Sequence, residues 1–267
     1  MFQRVKILQP MLDSVVQARY RDGKSWPTFD GATLDRSAFV TASEIGKCAR
    51  MVWFGKNVPP TEGNVHWGFF ERGHSHEAWI VEQLREYQGT YRWTYIGGDQ
   101  VSFYDGCQSG TPDGLLECPD GDLYVVDFKS IDPRKNLSKL PAPEHVDQVL
   151  QNTDLVEACL GVTVVGALLA YSDASDYSKV REYLVDATCD EALDRREMLE
   201  QRAENILTAE SAEQVMAEGI YNGGCTFCPF TAQCSAAVEQ SNVEKLRNDT
   251  AKRTAQGVFG QPQARSS

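Results

Sequence analysis

Two aspartates and a lysine fall close together in the middle of the chain. Asp113 lies in the turn Gly110-Thr-Pro-Asp-Gly114, and the run Leu123-Tyr-Val-Val-Asp-Phe-Lys129 ends in Asp127 and Lys129. This β-branched and aromatic run reads as a buried strand, and a strand sets residues two apart on one face. Asp120-Gly121 is a hairpin signal that folds the turn back onto the strand. Two carboxylates at one sheet end repel unless a cation stands between them, and hard oxygen donors suit Mg²⁺ or Mn²⁺. A lysine beside such a cation can orient an attacking water or offset charge on a phosphate. That combination is the apparatus of metal-dependent phosphodiester hydrolysis. The same residues also fit an ordinary hairpin with a solvated acidic turn.

A second constellation is built on sulfur. The chain has 8 cysteines, and Cys225, Cys228 and Cys234 form a Cys-x-x-Cys with a third cysteine six residues on. That spacing suits a metal centre, zinc or iron–sulfur. Three ligands leave a tetrahedral site one short. Cys48, far upstream, is a candidate fourth, although its place in a helical pattern also suits a plain core cysteine. Cys107, Cys118, Cys159 and Cys189 match no ligand spacing and read as structural.

The elements that must position these groups can be read in order. Leu8 to Tyr20 suits a short amphipathic helix and residues 21–37 a loop. Thr41-Ala-Ser-Glu44 is a capping box, after which Ile45, Cys48, Ala49, Val52 and Trp53 fall on one helix face. Lys47, Arg50 and Lys56 point away from it, towards solvent or phosphate. A second helix spans residues 71–89 with Ile80, Leu84 and Tyr87 as its apolar stripe. His76 and Glu77 flank that stripe on opposite sides, so periodicity does not choose between them. Residues 91–96, 100–104, 108–116 and 123–129 read as an antiparallel meander, divided at Gly97-Gly98, Asp105-Gly106 and Asp120-Gly121. A Pro-punctuated loop, residues 132–143, leads into a helix over 144–160 that carries His145 and Gln148. Strands follow at 162–171 and 180–185, then a charged outer helix over 189–218, and residues 237–267 read as a mobile polar tail. The expected fold class is α/β, a central mixed sheet flanked by helices. Its segments are an appendage (1–40), a helical segment (41–90), a core (91–188), a helix with the cysteine cluster (189–236) and the tail.

Composition narrows the partners. Net charge is −12, which argues against tight non-specific coating of duplex DNA by this chain alone. Bound divalent metal offsets part of that charge locally. So do basic clusters at Lys47, Arg50 and Lys56 and at Arg134, Lys135 and Lys139. No apolar run approaches the ~20 residues of a membrane helix, and no secretory leader is visible, so a cytoplasmic location is expected. Cysteines in that setting point to metal or redox chemistry rather than disulfides.

Gly-x-x-Asp followed by a strand ending Asp-x-Lys resembles the core of the PD-(D/E)xK nuclease superfamily, on Asp113, Asp127 and Lys129. Arg72-Gly73-x-x-x-Glu77 resembles the first motif of phage lambda-type exonucleases and selects Glu77. RecB-like and CRISPR-associated exonucleases have histidine at that position, whereas here His76 stands one residue early. Those families also carry Gln-x-x-x-Tyr on the helix after the core, which Gln148 matches and Asn152 does not. One early cysteine plus Cys-x-x-Cys-x5-Cys resembles the iron–sulfur staple of CRISPR-associated RecB-like and AddB-type nucleases. The resemblance spans about residues 41–236. It implies a restriction-endonuclease-like core and an exonuclease acting on single-stranded DNA or DNA ends. The implied metal ligands are Asp113, Asp127, the Phe128 carbonyl and Glu77 or His76, with Lys129 and Gln148 beside them. It further implies a structural 4Fe-4S cluster on Cys48, Cys225, Cys228 and Cys234, and a protein partner in recombination, replication or CRISPR adaptation. The alternatives are a non-catalytic DNA-binding or regulatory protein on the same scaffold, and a zinc-stapled hydrolase of a non-nucleic substrate.

Overall fold

The structure, a computed structural model, describes residues 27–58, 67–134, 137–215, 225 and 228–234. The expected Leu8–Tyr20 helix and the polar tail lie outside them. The strands are β1 Val40–Thr41, β2 Arg92–Thr94, β3 Phe103–Asp105, β4 Gln108–Gly110, β5 Gly114–Glu117, β6 Leu123–Ile131, β7 Gly166–Asp173 and β8 Asp176–Asp186. The helices are α1 Ala42–Ile45, α2 Ala49–Asn57, α3 Trp67–Arg85, α4 Pro143–Leu160 and α5 Asp190–Thr208. The fold is mixed α/β. A five-stranded sheet runs β2-β5-β6-β7-β8, and a three-stranded sheet runs β1-β4-β3.

Strand β6 is the centre. It pairs antiparallel with β5 and parallel with β7, with Asp127 opposite Leu169 and Lys129 opposite Tyr171. A parallel pair needs a crossover, and α4 is that crossover. Leu150, Leu155 and Val156 of α4 are buried, as are Val125 and Val126 of β6 and Ala167 and Leu169 of β7. At its far end α4 stops at Gly161, whose φ of 64° is the left-handed conformation that favours glycine.

Four expectations are corrected. The expected strand over 108–116 is two strands in different sheets, because Pro112 has no N–H to give a ladder and the chain turns at Thr111-Pro112-Asp113. The expected helix from Thr41 breaks between α1 and α2, so Cys48 stands just before the first turn of α2. Glu44 still accepts the Thr41 N–H at 3.0 Å, as a capping box requires. The break lies where Gly46 presses on α4: a Cβ there would stand 2.7 Å from the Glu144 Cα. Third, the stripe of α3 is not Ile80, Leu84 and Tyr87. Tyr87 is exposed and lies beyond the helix, while His76 and Val81 are its buried side chains among those described. The outer helix α5 also ends ten residues before the expected 218.

Gly46 and Gly55 give a paired test. Gly55, in mid-α2, has open space where a Cβ would go. Gly46→Ala should destabilise by about 1–3 kcal/mol through overpacking, and Gly55→Ala should stabilise by up to about 1 kcal/mol through helix propensity. Urea unfolding of the two variants checks the sign of each.

Candidate active site

The turn after β4 and the middle of β6 meet as the strand period requires. Asp113 Oδ2 accepts the Phe128 N–H at 2.7 Å, and the Asp113 N–H donates to the Val126 carbonyl at 3.1 Å. The turn is therefore tied to β6 on both sides of Asp127. Asp127 is 1 % exposed. Its Oδ1 accepts from Gln148 Nε2 at 2.8 Å, and its Oδ2 lies 2.6 Å from Lys129 Nζ. Lys129 Nζ in turn donates to Gln148 Oε1 at 3.0 Å. Asp127, Lys129 and Gln148 thus close a ring in which one amide both donates and accepts.

Helix α4 is held so that Gln148 can take this place. One turn earlier, His145 Nδ1 pairs with Tyr171 Oη at 2.8 Å, and Tyr171 Oη accepts the Ala142 N–H at 3.1 Å. One turn later, Gln151 Nε2 donates to the Val40 carbonyl at 3.0 Å. His145 is thus an anchor of the helix to β7. Asn152 is wholly buried against Gly110, where a Cβ would stand 2.0 Å from its Oδ1.

Glu77 reaches the same centre from α3. Gln100 Nε2 donates to Glu77 Oε1 and to Asp113 Oδ1, each at 3.2 Å. Gln100 has no chemical motif in the sequence; a turn at Gly97-Gly98 delivers it. His74 and Glu77 line a cleft of about 790 Å³ with Arg36, Thr111, Asp113 and Gln148. His76 does not face that cleft: it is buried against Ser172 and Tyr177 on the other side of the helix.

The electrostatics follow from crowding. Burial pushes the Asp113 carboxyl well above the usual carboxylate range, and the charges of Asp127 and Glu77 push it further. Burial also raises Asp127, with Lys129 opposing, and raises Glu77, with His74 and Gln100 opposing. Burial alone would lower the Lys129 ammonium, but Asp127 and Asp113 outweigh it and the pKa ends above the usual lysine value. Lys47, half-buried beside Lys129, Arg36 and Lys56, is lowered by burial with only Glu44 opposing. The other basic residues of that segment are committed elsewhere: Lys56 pairs with Glu44 at 3.1 Å and Arg50 Nε donates to the Val215 carbonyl at 2.7 Å.

As the side chains stand, no set of three or more His, Cys, Asp or Glu among the described residues is arranged to hold a metal ion. The donor chemistry nevertheless fits a hard cation. Asp127 Oδ2 is buried and has no aligned hydrogen bond, and the carboxylates are closed onto amides and an ammonium rather than onto each other. Rotating Gln100 and Gln148 aside would free oxygens of Asp113, Asp127 and Glu77.

The cysteines form a separate buried group. Burial raises the Cys228 thiol, and the neighbouring Cys48, Cys225 and Cys234 raise it further. The Cys228 N–H donates to the Cys225 carbonyl at 3.2 Å, and Cys234 is buried with Phe54, packed by Trp53 and Phe230. Cys48 and Cys234 are buried and Cys225 and Cys228 half-buried; thiolate donors suit a soft metal centre, although as the side chains stand no three of them are arranged around one. Cys107, Cys118, Cys159 and Cys189 are free and lie outside that group.

No family model matches the chain, and no curated protein matches it. Solved structures give weak likenesses. A protein designated SSO0001 shares 14% identity at a TM-score of 0.49, covering 86% of this chain and 97% of the other. An alkaline exonuclease, LHK-Exo from Laribacter hongkongensis, shares 16% identity at 0.44, covering 81% and 95%. The same enzyme in complex with dAMP gives 0.42.

The crowding has a pH signature. A carboxyl raised on folding binds more protons in the folded than in the unfolded state, so stability falls as pH rises from the unfolded aspartate value of about 3.9 through the raised folded value. In chelator, the protein should lose stability as pH rises through that window. Asp113→Asn should flatten the slope and raise stability at neutral pH. Urea midpoints for both proteins across that range check it; a steeper slope in Asp113→Asn would contradict the assignment.

Proposed function

We propose that the protein is a metal-dependent deoxyribonuclease that hydrolyses phosphodiester bonds of single-stranded DNA or DNA ends. The observation that supports this most directly is that Asp113 and Glu77, which line an open cleft, stand next to the buried Asp127–Lys129 pair. Asp113, Asp127 and Glu77 would hold Mg²⁺ or Mn²⁺, with the Phe128 carbonyl as a further oxygen. The cation, when bound, would supply charge that stabilises the phosphate and lowers the pKa of water. Lys129 then holds an attacking water in line and places positive charge on the phosphate oxygens. Gln148 keeps the Lys129 ammonium on the Asp127 side of the cleft. The preference for ends, with exonucleolytic action, rests on the motif resemblance drawn from the sequence. The absence of any helix long and apolar enough to cross a membrane, among the described residues, is compatible with a DNA substrate.

Cys48, Cys225, Cys228 and Cys234 would carry a 4Fe-4S cluster whose role is structural. It would join α2 to a segment beyond α5, 177 positions later (225 − 48). Closing so long a loop removes freedom from the unfolded chain, by ~3/2 RT ln n in the loop-entropy estimate.

The nuclease reading is tested with Mn²⁺ on 5′- and 3′-labelled single- and double-stranded substrates. Lys129→Ala should keep Mn²⁺ affinity in calorimetric titration and lose at least about 10²-fold in kcat. Asp127→Ala should lose both. Equal Mn²⁺ affinity in the two would rule out this division of roles.

The cysteine centre is tested by iron and acid-labile sulfide per chain after anaerobic purification. Cys48→Ser and Cys228→Ser should lower both contents and Tm alike, while Cys159→Ser leaves the iron unchanged. A full cluster in Cys48→Ser, or zinc in the wild type, would refute the assignment.

A further inference from the structure

Helix α3 carries Glu77, and its last turn is tied by Arg85, which donates to the Ile96 carbonyl at 3.0 Å and pairs with Asp99 at 3.3 Å. Among its described side chains only His76 and Val81 are buried, while Phe70 and Trp79 are exposed. Val81 seats one end against the turn at Gly97, where a Cβ would stand 2.3 Å from Val81 Cγ1. His76 seats its middle. Its Nδ1 pairs with Ser172 Oγ on β7 at 2.9 Å, and Ser172 Oγ donates at 3.4 Å to the carbonyl of Lys129. Tyr177 covers the imidazole at a ring distance of 3.8 Å, and Trp79 lies edge-on to Tyr177 at 5.2 Å. The Ala174 main chain is a further hydrogen-bonding neighbour of the imidazole, and Nε2 is buried without a well-aligned partner.

We infer that His76 is a positioning residue: through Nδ1 and Ser172 it pins α3 to the main chain of Lys129, and so holds Glu77 over Asp113 and Asp127. His76 and Glu77 are adjacent in sequence and so lie about 100° apart around the helix, one turned to the sheet and one to the cleft. Fixing the first therefore fixes the second. A helix with two buried anchors tilts or slides when one is lost, and a carboxylate displaced by about 1 Å no longer ligates well. The bond on the Nδ1 side carries the role, because it is the one that leads through Ser172 to the Lys129 carbonyl.

The inference rests on Glu77 as a metal ligand, and the test separates the two. Asparagine places a polar group where Nδ1 stands, and glutamine places one near Nε2. His76→Ala, His76→Asn, His76→Gln and Ser172→Ala are compared by Mn²⁺ titration, by kcat and KM, and by amide hydrogen exchange of residues 70–82 without metal. His76→Ala, His76→Gln and Ser172→Ala should weaken Mn²⁺ affinity by about 10–100-fold, as loss of a group supporting a ligand does, and should speed exchange in α3. His76→Asn should restore both. In a Glu77→Ala background, His76→Ala should change Mn²⁺ affinity no further, since the pin acts through Glu77. Rescue by glutamine rather than asparagine, or additive losses with Glu77→Ala, would make His76 a ligand and overturn the inference. Unchanged exchange in His76→Ala and Ser172→Ala would overturn it as well. If the wild type neither binds Mn²⁺ nor cleaves DNA, the nuclease reading fails, and the exchange comparison still decides whether His76 pins the helix.

Discussion

A carboxylate taken out of water must be paired, hydrogen-bonded or neutralised. Asp127 sits at the middle of the central strand with almost no solvent access, and every neighbouring element is disposed around its charge. Lys129 answers it from the same face of β6, Gln148 from the crossover helix, and Asp113 crowds it from the turn after β4. The pairing is incomplete, since two carboxylates and a share of a third face one lysine. A structure that only sought stability would replace such a group by apolar packing. Retaining it keeps a site of high negative potential at the wall of a cleft, where a cation or a phosphate with its cation can relieve the repulsion.

Asp113, Asp127 and Lys129 were legible because their positions follow from local rules. A strand alternates its faces, and a Gly/Pro turn next to a hairpin returns to the strand it precedes. The central mixed sheet was legible for the same reason. Gln148 depended on motif resemblance, since a glutamine on a helix announces nothing by itself. Gln100 and His74 were not legible: tertiary packing brings them, and no periodicity marks them. His76 shows the limit of reading helices by apolar stripe. A polar side chain with a hydrogen-bond partner in the sheet anchors α3, and a count of hydrophobic residues passes over it. The strand break at Pro112 was visible as a residue type, but joining it to a change of sheet required the strand order.

Much of the early and late chain is stitched together by polar contacts rather than by the sheets. Trp53 Nε1 donates to the Ala209 carbonyl at 2.9 Å, Arg50 Nε to the Val215 carbonyl at 2.7 Å, and an Arg202 guanidinium N–H to the Lys47 carbonyl at 2.6 Å. The Ala209 and Lys47 carbonyls lie just past helix ends, where carbonyls lack partners, and the Val215 carbonyl lies in the turn beyond α5. Val52, Leu199, Ala203 and Ile206 bury the apolar side of the same junction. The cysteine pocket lies beside it, with Phe54 stacked on Phe230.

These stitches also set an order for making the protein. A chain emerging from the ribosome N-terminus first presents α2 long before α5 exists, with partners some 155–165 positions downstream. Contacts of such separation form late, because the loop between them must close first. Helix α2 therefore stays without its α5 partner until the whole of the central sheet has been synthesised. During that interval Val52 and Phe54 are open to solvent and to other nascent chains. A truncation before α5 would leave exposed the apolar surface of α2 made earlier in the chain.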